Sequence, residues 1–596
     1  MARFRAALLY DDELRREANE SQRNYWAVYY REVLERIGLP HEVIGPEALS
    51  DGTLGEHRIL LLPPLGEGYL GPEAVEELAR WVRAGGLLVG FATRGLDGLF
   101  GVRVEDQIPQ PGDEFTPSAC LRLRDEEWSM PLLPAEVSDA TLPVLAPVAC
   151  LSAPGSRELA RLCSLFERDL GRPAVTYRRE GAGAVCYWAF DLAHCVWAMQ
   201  QGRPVVDDYD GDGQLRSRDG IAIGPWRGDL PYADVMLFVL RRVLAEHGAV
   251  LLHQLPPAGD GSVPDAVFHW GGDDCGWQED YLAAAEFMLG VGLPYHINVQ
   301  QVPAGNHLLP RETFERLRSM GCEVGIQFRL VPPDGTGLYH FTREDLESQL
   351  RWHREAYEQT PVVTVFSRCE WTGWAEPARW LAELGMKGDN NRFGRAGPLG
   401  NPLNTLSFGF GTCYPFFYYE DWRRGNRRIP FTCQPITDYE CGFRFPEDTP
   451  DYHGLHRSID LAGFWNLTMN LFRHPYYIVR TRSQPEAIKH SLGYMAERGI
   501  SPVHLGSDEM CLWWHARSAS AVEEVAREEG AIAIRTRAEH VSGCVVQLLV
   551  GEGEPGRVEV EGNPARYVVR EQHGARWLYV PMPAGEATAV VRPGGP

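Results

Sequence analysis

The chain has 596 residues, 44% hydrophobic and 23% charged, close to an ordinary globular protein, so disorder is not the default and there is room for three to four domains at roughly 150 residues each. Its 81 acidic and 58 basic residues give a formal charge of −23, a field that repels phosphate backbones and anionic lipid, so no nucleic acid and no membrane is expected as a partner. Thirteen cysteines without a C-x-x-C pair favour reduced thiols, and the lack of a signal-like start or a long apolar run predicts a cytoplasmic protein.

Residues 1–255 alternate strand and helix. Ala6–Tyr10 is a short apolar run before an amphipathic stretch at Asn24–Ile37. Arg58–Leu62 is a second run, Pro72 stands at a first helical position before Glu73–Arg83, and Leu87–Ala92 follows Gly85-Gly86. With Ala184–Phe190 as a late strand, the alternation predicts a doubly wound parallel α/β domain. Gly66-Glu67-Gly68-Tyr69-Leu70-Gly71 matches a dinucleotide fingerprint, but Glu67 would set negative charge against a pyrophosphate, so it reads as a Gly-rich turn.

Near the end of this segment, Asp208, Asp210 and Asp212 precede Gly213, and Asp219 follows eleven residues after Asp208. Oxygen ligands then fall at loop positions 1, 3, 5 and 12, the pattern of a structural calcium (Ca2+) loop, although Arg216 stands at a liganding position.

The fold pattern of residues 1–255 resembles the class I glutamine amidotransferase-like domain that accompanies some glycosidases. In that family a cysteine stands on a tight strand-to-helix turn. Gly86-Leu87-Leu88-Val89-Gly90-Phe91-Ala92-Thr93 carries none, so the resemblance implies a non-catalytic domain, one that could serve a homo-oligomer.

Pro256, Pro257, Gly259 and Gly261 mark a linker. Over residues 262–517 strands at Ala266–Trp270, Tyr295–Val299, Glu323–Phe328, Val362–Ser367, Ile429–Ile436 and Asn470–His474 alternate with helices near Glu279–Leu289, Arg311–Met320, Arg343–Tyr357, Pro377–Leu384, His456–Met469 and Pro485–Arg498. This predicts a (β/α) barrel with its chemistry at the strand C-terminal ends. The tail, residues 525–596, alternates short strands with Gly, Pro and Asn turns and predicts a small β-sandwich. The expected whole is an α/β multidomain protein: parallel α/β domain, barrel, sandwich.

The first barrel strand runs into Gly271-Gly272-Asp273-Asp274 and the last ends at Arg473-His474. Two adjacent carboxylates repel each other, so a cation, a shared proton or a set of donors is needed beside them. Their order along residues 262–515 resembles the polysaccharide deacetylases of the NodB-homology group. That resemblance implies removal of acyl groups from amino sugars, with Asp273 as base, Asp274 as ligand of a divalent metal and His474 as acid. The family's histidine pair on the third strand is replaced here by Gly325–Pro333, so a zinc-type site is incomplete, with His296 as a substitute ligand and Arg329 supplying positive charge instead.

Other strand ends add Arg368, Glu370, Asp389, Asp438 and Tyr439. Glu370, Arg329 and Tyr439 with the aspartates would also serve a metal-independent glycoside hydrolase or a polysaccharide lyase. Trp270, Trp277, Trp371 and Trp374 lie near expected loops, where indole faces suit the C–H faces of an oligo- or polysaccharide. A barrel that binds saccharide without turnover is the third reading.

Overall fold

In the computed structural model the chain is mixed α/β with several sheets. It describes all residues apart from 1, 4, 129, 225–227, 274–278, 301–308, 333–336, 395–402, 529, 552–554 and 594–596. Two compact units result: residues 1–199, 232–263 and 516–596 form unit 1, and residues 200–231 and 264–515 form unit 2. Among the described residues no helix is long and apolar enough to cross a membrane.

Unit 1 holds a nine-stranded sheet. His41–Ile44, Ala6–Leu9, Ile59–Leu62, Leu87–Phe91 and Gly183–Trp188 run parallel in that order. The expected all-parallel sheet is corrected beyond that point, because Asp169–Glu180, Arg157–Cys163, Ala119–Leu123 and Thr141–Val144 continue it antiparallel. The cause is local. Asp169–Glu180 turns into Gly183–Trp188 through Gly181 (φ 62°) and Ala182, and so tight a hairpin can join only antiparallel neighbours. At the end of Leu87–Phe91, Ala92 takes a left-handed backbone (φ 49°) and presents a methyl group on that turn.

The tail strands form two antiparallel sheets, which also take in Ala2–Arg3 and Leu251–Leu252 from earlier in the chain. One apolar core joins the two sheets, with Val525, Ile534 and Val591 from one and Val546, Leu578 and Val580 from the other.

Unit 2 is built on parallel strands β1 (Ala266–Asp273), β2 (His296–Gln300), β3 (Glu323–Phe328), β4 (Val363–Phe366), β5 (Gly388–Asp389), β6 (Arg428–Cys433), β7 (Asp438–Tyr439) and β8 (Thr468–Phe472). Helices α1 (Asp280–Gly290), α2 (Arg311–Ser319), α3 (Arg343–Tyr357) and α4 (Glu376–Glu383) follow the first four strands, and α5 (His453–Trp465) precedes β8. Thr342 starts α3 with a reciprocal cap, its hydroxyl and backbone N–H both bonded to Asp345.

The lateral order is β7-β8-β1-β2-β3-β4-β5-β6. Among the described residues the expected barrel is not closed by paired strands, because the ladder is an open path with short antiparallel strands on both edges. Its two ends are nevertheless one stretch of chain. Only residues 434–437 separate β6 from β7, and Ile436 bridges Phe393 on the way.

As a branch of the same sheet, β9 (Pro502–Gly506) pairs with the first half of β1 and leads into α6 (Ser507–Ala519). The first turn of α6 meets the N-terminal ends of several strands. Glu323 accepts the backbone N–H groups of Asp508 and Glu509, Asp508 accepts that of Val363, and the His296 Nδ1 lies 3.1 Å from Glu323 and 3.3 Å from Asp508.

Burial pushes the Asp508 carboxyl up to about 6, with His296 opposing and Glu323 reinforcing. Burial disfavours the charged His296, but Asp508 and Glu323 outweigh it and hold the imidazole above its ordinary value. A folded-state value raised above the unfolded one contributes stability at low pH that is lost as pH rises. Asp508 therefore contributes most below about pH 4 and loses its contribution as pH rises towards about 6. Asp508→Asn removes this window: chemical melts should show wild type gaining stability relative to the variant on acidification, whereas parallel curves would contradict it.

Candidate active site

Strand register brings two distant residues level. β1 and β8 pair Val267 with Thr468 and Gly271 with Phe472, so two residues further on Asp273 stands beside His474. Between them Gly272 leaves no room for a side chain, since a Cβ there would lie 2.0 Å from the Arg473 carbonyl oxygen. The His474 Nε2 is 2.5 Å from Asp273 Oδ1. Gln327, on β3, donates to Asp273 Oδ2 at 2.7 Å.

Glu440 completes the row. It follows β7, with a left-handed backbone (φ 51°), and its Oε1 lies 2.7 Å from His474 Nδ1 and accepts the His474 backbone N–H at 2.5 Å. Its Oε2 accepts from Gln484 at 2.8 Å. Asp273, His474 and Glu440 are all buried. Two carboxylates facing both nitrogens of one imidazole need two protons for two hydrogen bonds. The row therefore holds either an imidazolium between two carboxylates or a neutral imidazole with one protonated carboxyl.

A cavity of about 480 Å³ opens over this row, with Asp273, His474, Gln300, Gln327 and Tyr439 on its wall. Tyr439 stacks on Phe472 and meets the His474 ring edge-on at 5.5 Å. Arg329 and Arg368 reach the cavity from the ends of β3 and β4. Arg368 and the adjacent Cys369, also on the wall, both take left-handed backbone (φ 58° and 54°), strain of the kind that collects at functional sites. The Cys369 thiol is pushed by burial up to about 12, which suits packing and not nucleophilic attack.

Arg216, Ser217 and Arg218 reach the same cavity from residues 200–231, a segment that sequence order attaches to the N-terminal domain. Non-local bridges hold it in unit 2: Val205 pairs with Gly373, and Arg216 with Glu370. The acidic loop lies directly before these arginines. Asp208, Asp210 and Asp212 bring oxygens within 4.8 Å of one another. Asp210 and Asp212 pair with Arg218, and Asp212 also with Arg216. Asp208 accepts three backbone N–H groups, and Asp219 accepts those of Asp210 and Arg216.

Of the candidate catalytic residues, Asp273, His474, Arg329 and Tyr439 meet at the cavity. Glu370 sits behind its wall, accepting the Leu330 N–H at 3.2 Å, with its carboxyl pushed by burial up to about 7. Asp274 and Trp277 lie outside the described residues. His296 is at the opposite, N-terminal end of its strand, in the cluster at the start of α6, so it does not stand at the mouth as a ligand.

Several expected substrate contacts are corrected. Trp270 is fully buried and donates to His504. Trp371 and Trp374 are core residues; Trp374 donates to the Gly202 carbonyl, and a face of Trp371 is taken by the buried Arg392, 4.3 Å from its centroid. Asp389 is buried beside the Tyr418 hydroxyl and pushed up to about 6 by that burial. Asp438 forms a buried ion pair with Arg473 at 2.6 Å. In each case a partner inside the fold already occupies the group.

Glu440 was visible in the sequence only as the residue after a strand-end Asp-Tyr, and Arg216 and Arg218 only as parts of the acidic loop. No local signal marked any of them as facing Asp273.

No family model matches the chain, and no curated protein does. Among solved structures, a β-galactosidase from Bacillus circulans sp. alkalophilus is similar at 18% identity and a TM-score of 0.26 over 33% of this chain and 30% of that one. A protein assigned as a polysaccharide deacetylase from Mycobacterium smegmatis is similar at 13% identity and 0.30 over 44% of this chain and 94% of that one. An alpha-L-fucosidase isoenzyme from Paenibacillus thiaminolyticus gives 17% and 0.26 over 42% and 34%. The chain thus spans less than a third of the length of the β-galactosidase.

Proposed function

We propose that unit 2 is a hydrolase acting on a saccharide, removing an acyl group, with Asp273 and His474 as its proton-transfer pair. The observation that carries this reading is the row Asp273–His474–Glu440 beneath an open polar cavity. A carboxylate and an imidazole in direct contact suit the two proton steps of acyl hydrolysis. Water attacks the acyl carbon and gives its proton to Asp273. The Nε2–H of His474 passes to the leaving nitrogen or oxygen, and the proton on Asp273 then returns to the imidazole. Glu440 is a positioning residue that fixes the ring through Nδ1, and Gln327 holds the second oxygen of Asp273.

A zinc ion fits the described donors at the cavity poorly. Among the described residues Asp273 belongs to no set of three closely placed histidine, cysteine or carboxylate ligands, and His474 is already engaged by carboxylates at both nitrogens. The proposed steps therefore run through side chains alone. Ala92 on the turn of unit 1 supplies no nucleophile, which supports a non-catalytic role for that unit.

A second reading is elimination from a uronate, favoured by Tyr439 and His474 sharing a wall with the arginines. The test is product analysis on acylated and uronate-containing oligosaccharides. Free acyl acid, lost in Asp273→Asn, is the expected result. An unsaturated sugar product would establish the elimination instead, and no product from any substrate would overturn both.

A further inference from the structure

We propose that the cavity of unit 2 selects a saccharide bearing an anionic substituent, a carboxylate or a sulfate ester, and that Arg329 and Arg368 bind that group on a wall they share with Arg216 and Arg218. The inference rests on the saccharide reading above and deepens it.

Charge inverts between the chain and this wall. The protein carries −23 overall, yet among the described residues the cavity is lined by four arginines and one carboxylate, that of Asp273. Arg216 and Arg218 are tied to Asp212 and Asp210, which fixes their forks. Arg329 and Arg368 are different. Both are exposed, and among the described residues neither pairs with a carboxylate; Arg368 is held only by a contact to the Gln214 amide oxygen at 3.2 Å.

Glu370 is a further acid that interacts with both. Its burial favours the neutral carboxyl up to about pH 7, so it offsets their charge only in part. The Arg329 backbone is clamped at both its N–H and its carbonyl by the Gln349 amide, and Arg368 is held in left-handed backbone. Planar forks on fixed backbones and without an internal counter-ion match a planar carboxylate or a sulfate, which they bind through paired N–H groups. A neutral sugar would leave them unpaired.

The test is equilibrium binding to the full-length chain carrying Asp273→Asn, so that turnover does not interfere. The probes are glucuronate, glucose 6-sulfate and glucose oligosaccharides of matched length. Acidic probes are expected to bind more tightly than glucose, with affinity falling as salt rises. Arg329→Ala and Arg368→Ala should each weaken acidic binding by about 10-fold or more and leave glucose unchanged. Tighter binding of the uronate or of the sulfate identifies which anion is meant. Equal affinity for acidic and neutral probes, or acidic binding indifferent to both variants, would overturn the proposal. Arginine-dependent acidic binding with no acyl release by wild type retires the hydrolase reading alone, whereas acyl release from neutral sugars unaffected by the arginine variants retires this one alone.

Discussion

Replacing His474 by glutamine is expected to lower the rate of acyl release by about a hundred- to ten-thousand-fold, the usual worth of a positioned acid–base group. The imidazole is the one group in the row that contacts both carboxylates, so its loss removes the proton donor and the path between them. Glutamine preserves much of the volume, and a circular dichroism melt close to wild type would show that the fold survives. Glu440→Gln keeps an acceptor near Nδ1 and should cost far less in rate while altering the pH profile, as expected of a group that acts through the imidazole. An unchanged rate in His474→Gln would remove His474 from the chemistry.

The second large effect concerns the residue beside it. Asp438→Asn is expected to destabilise unit 2 by about 3–5 kcal/mol, because it leaves Arg473 buried without its counter-ion. Arg473 is 1% exposed and its pair with Asp438 measures 2.6 Å. Its other described hydrogen bonds go to carbonyl oxygens of Asp438 and Phe472, and the Glu440 carboxylate adds negative charge without an ion-pair contact to it, so Asp438 is its one directly paired counter-ion among the described residues. A urea melt should show the loss as a lower midpoint. Because Arg473 adjoins His474, the Asp438→Asn protein should also lose part of its acyl-release rate while folded. A midpoint equal to wild type would mean that the pair is neutral to stability.

The parts of the site legible in the sequence were those tied to a repeating pattern. Parallel strands announce themselves as apolar runs of four to eight residues, and a charged residue closing such a run lies at the strand's C-terminal end. Asp273 and His474 were found that way, because β1 and β8 are both fully buried runs. Glu440 was not singled out: β7 is two residues long, and a left-handed backbone at glutamate has no sequence mark. Arg216 and Arg218 were missed for a different reason. Their segment reaches the cavity through isolated bridges to residues more than 150 positions away, and such pairing carries no local periodicity.

The tryptophans show the reverse error. A large aromatic near a strand end reads equally as a sugar platform or as core, and in this fold Trp270, Trp371 and Trp374 are core. Similarly, the alternation of residues 1–255 announces strands and helices but not strand direction. A short Gly-Ala turn decided that point for the antiparallel half of the unit 1 sheet.

The claim on which the rest depends is that Asp273 and His474 act as one proton-transfer unit. A double-mutant cycle on acyl release, using Asp273→Asn, His474→Gln and the two combined, measures it directly. Groups that act together lose their contribution once, so the combined variant should be no slower than the slower single variant. Losses that multiply in the combined variant would show two independent groups and contradict the account.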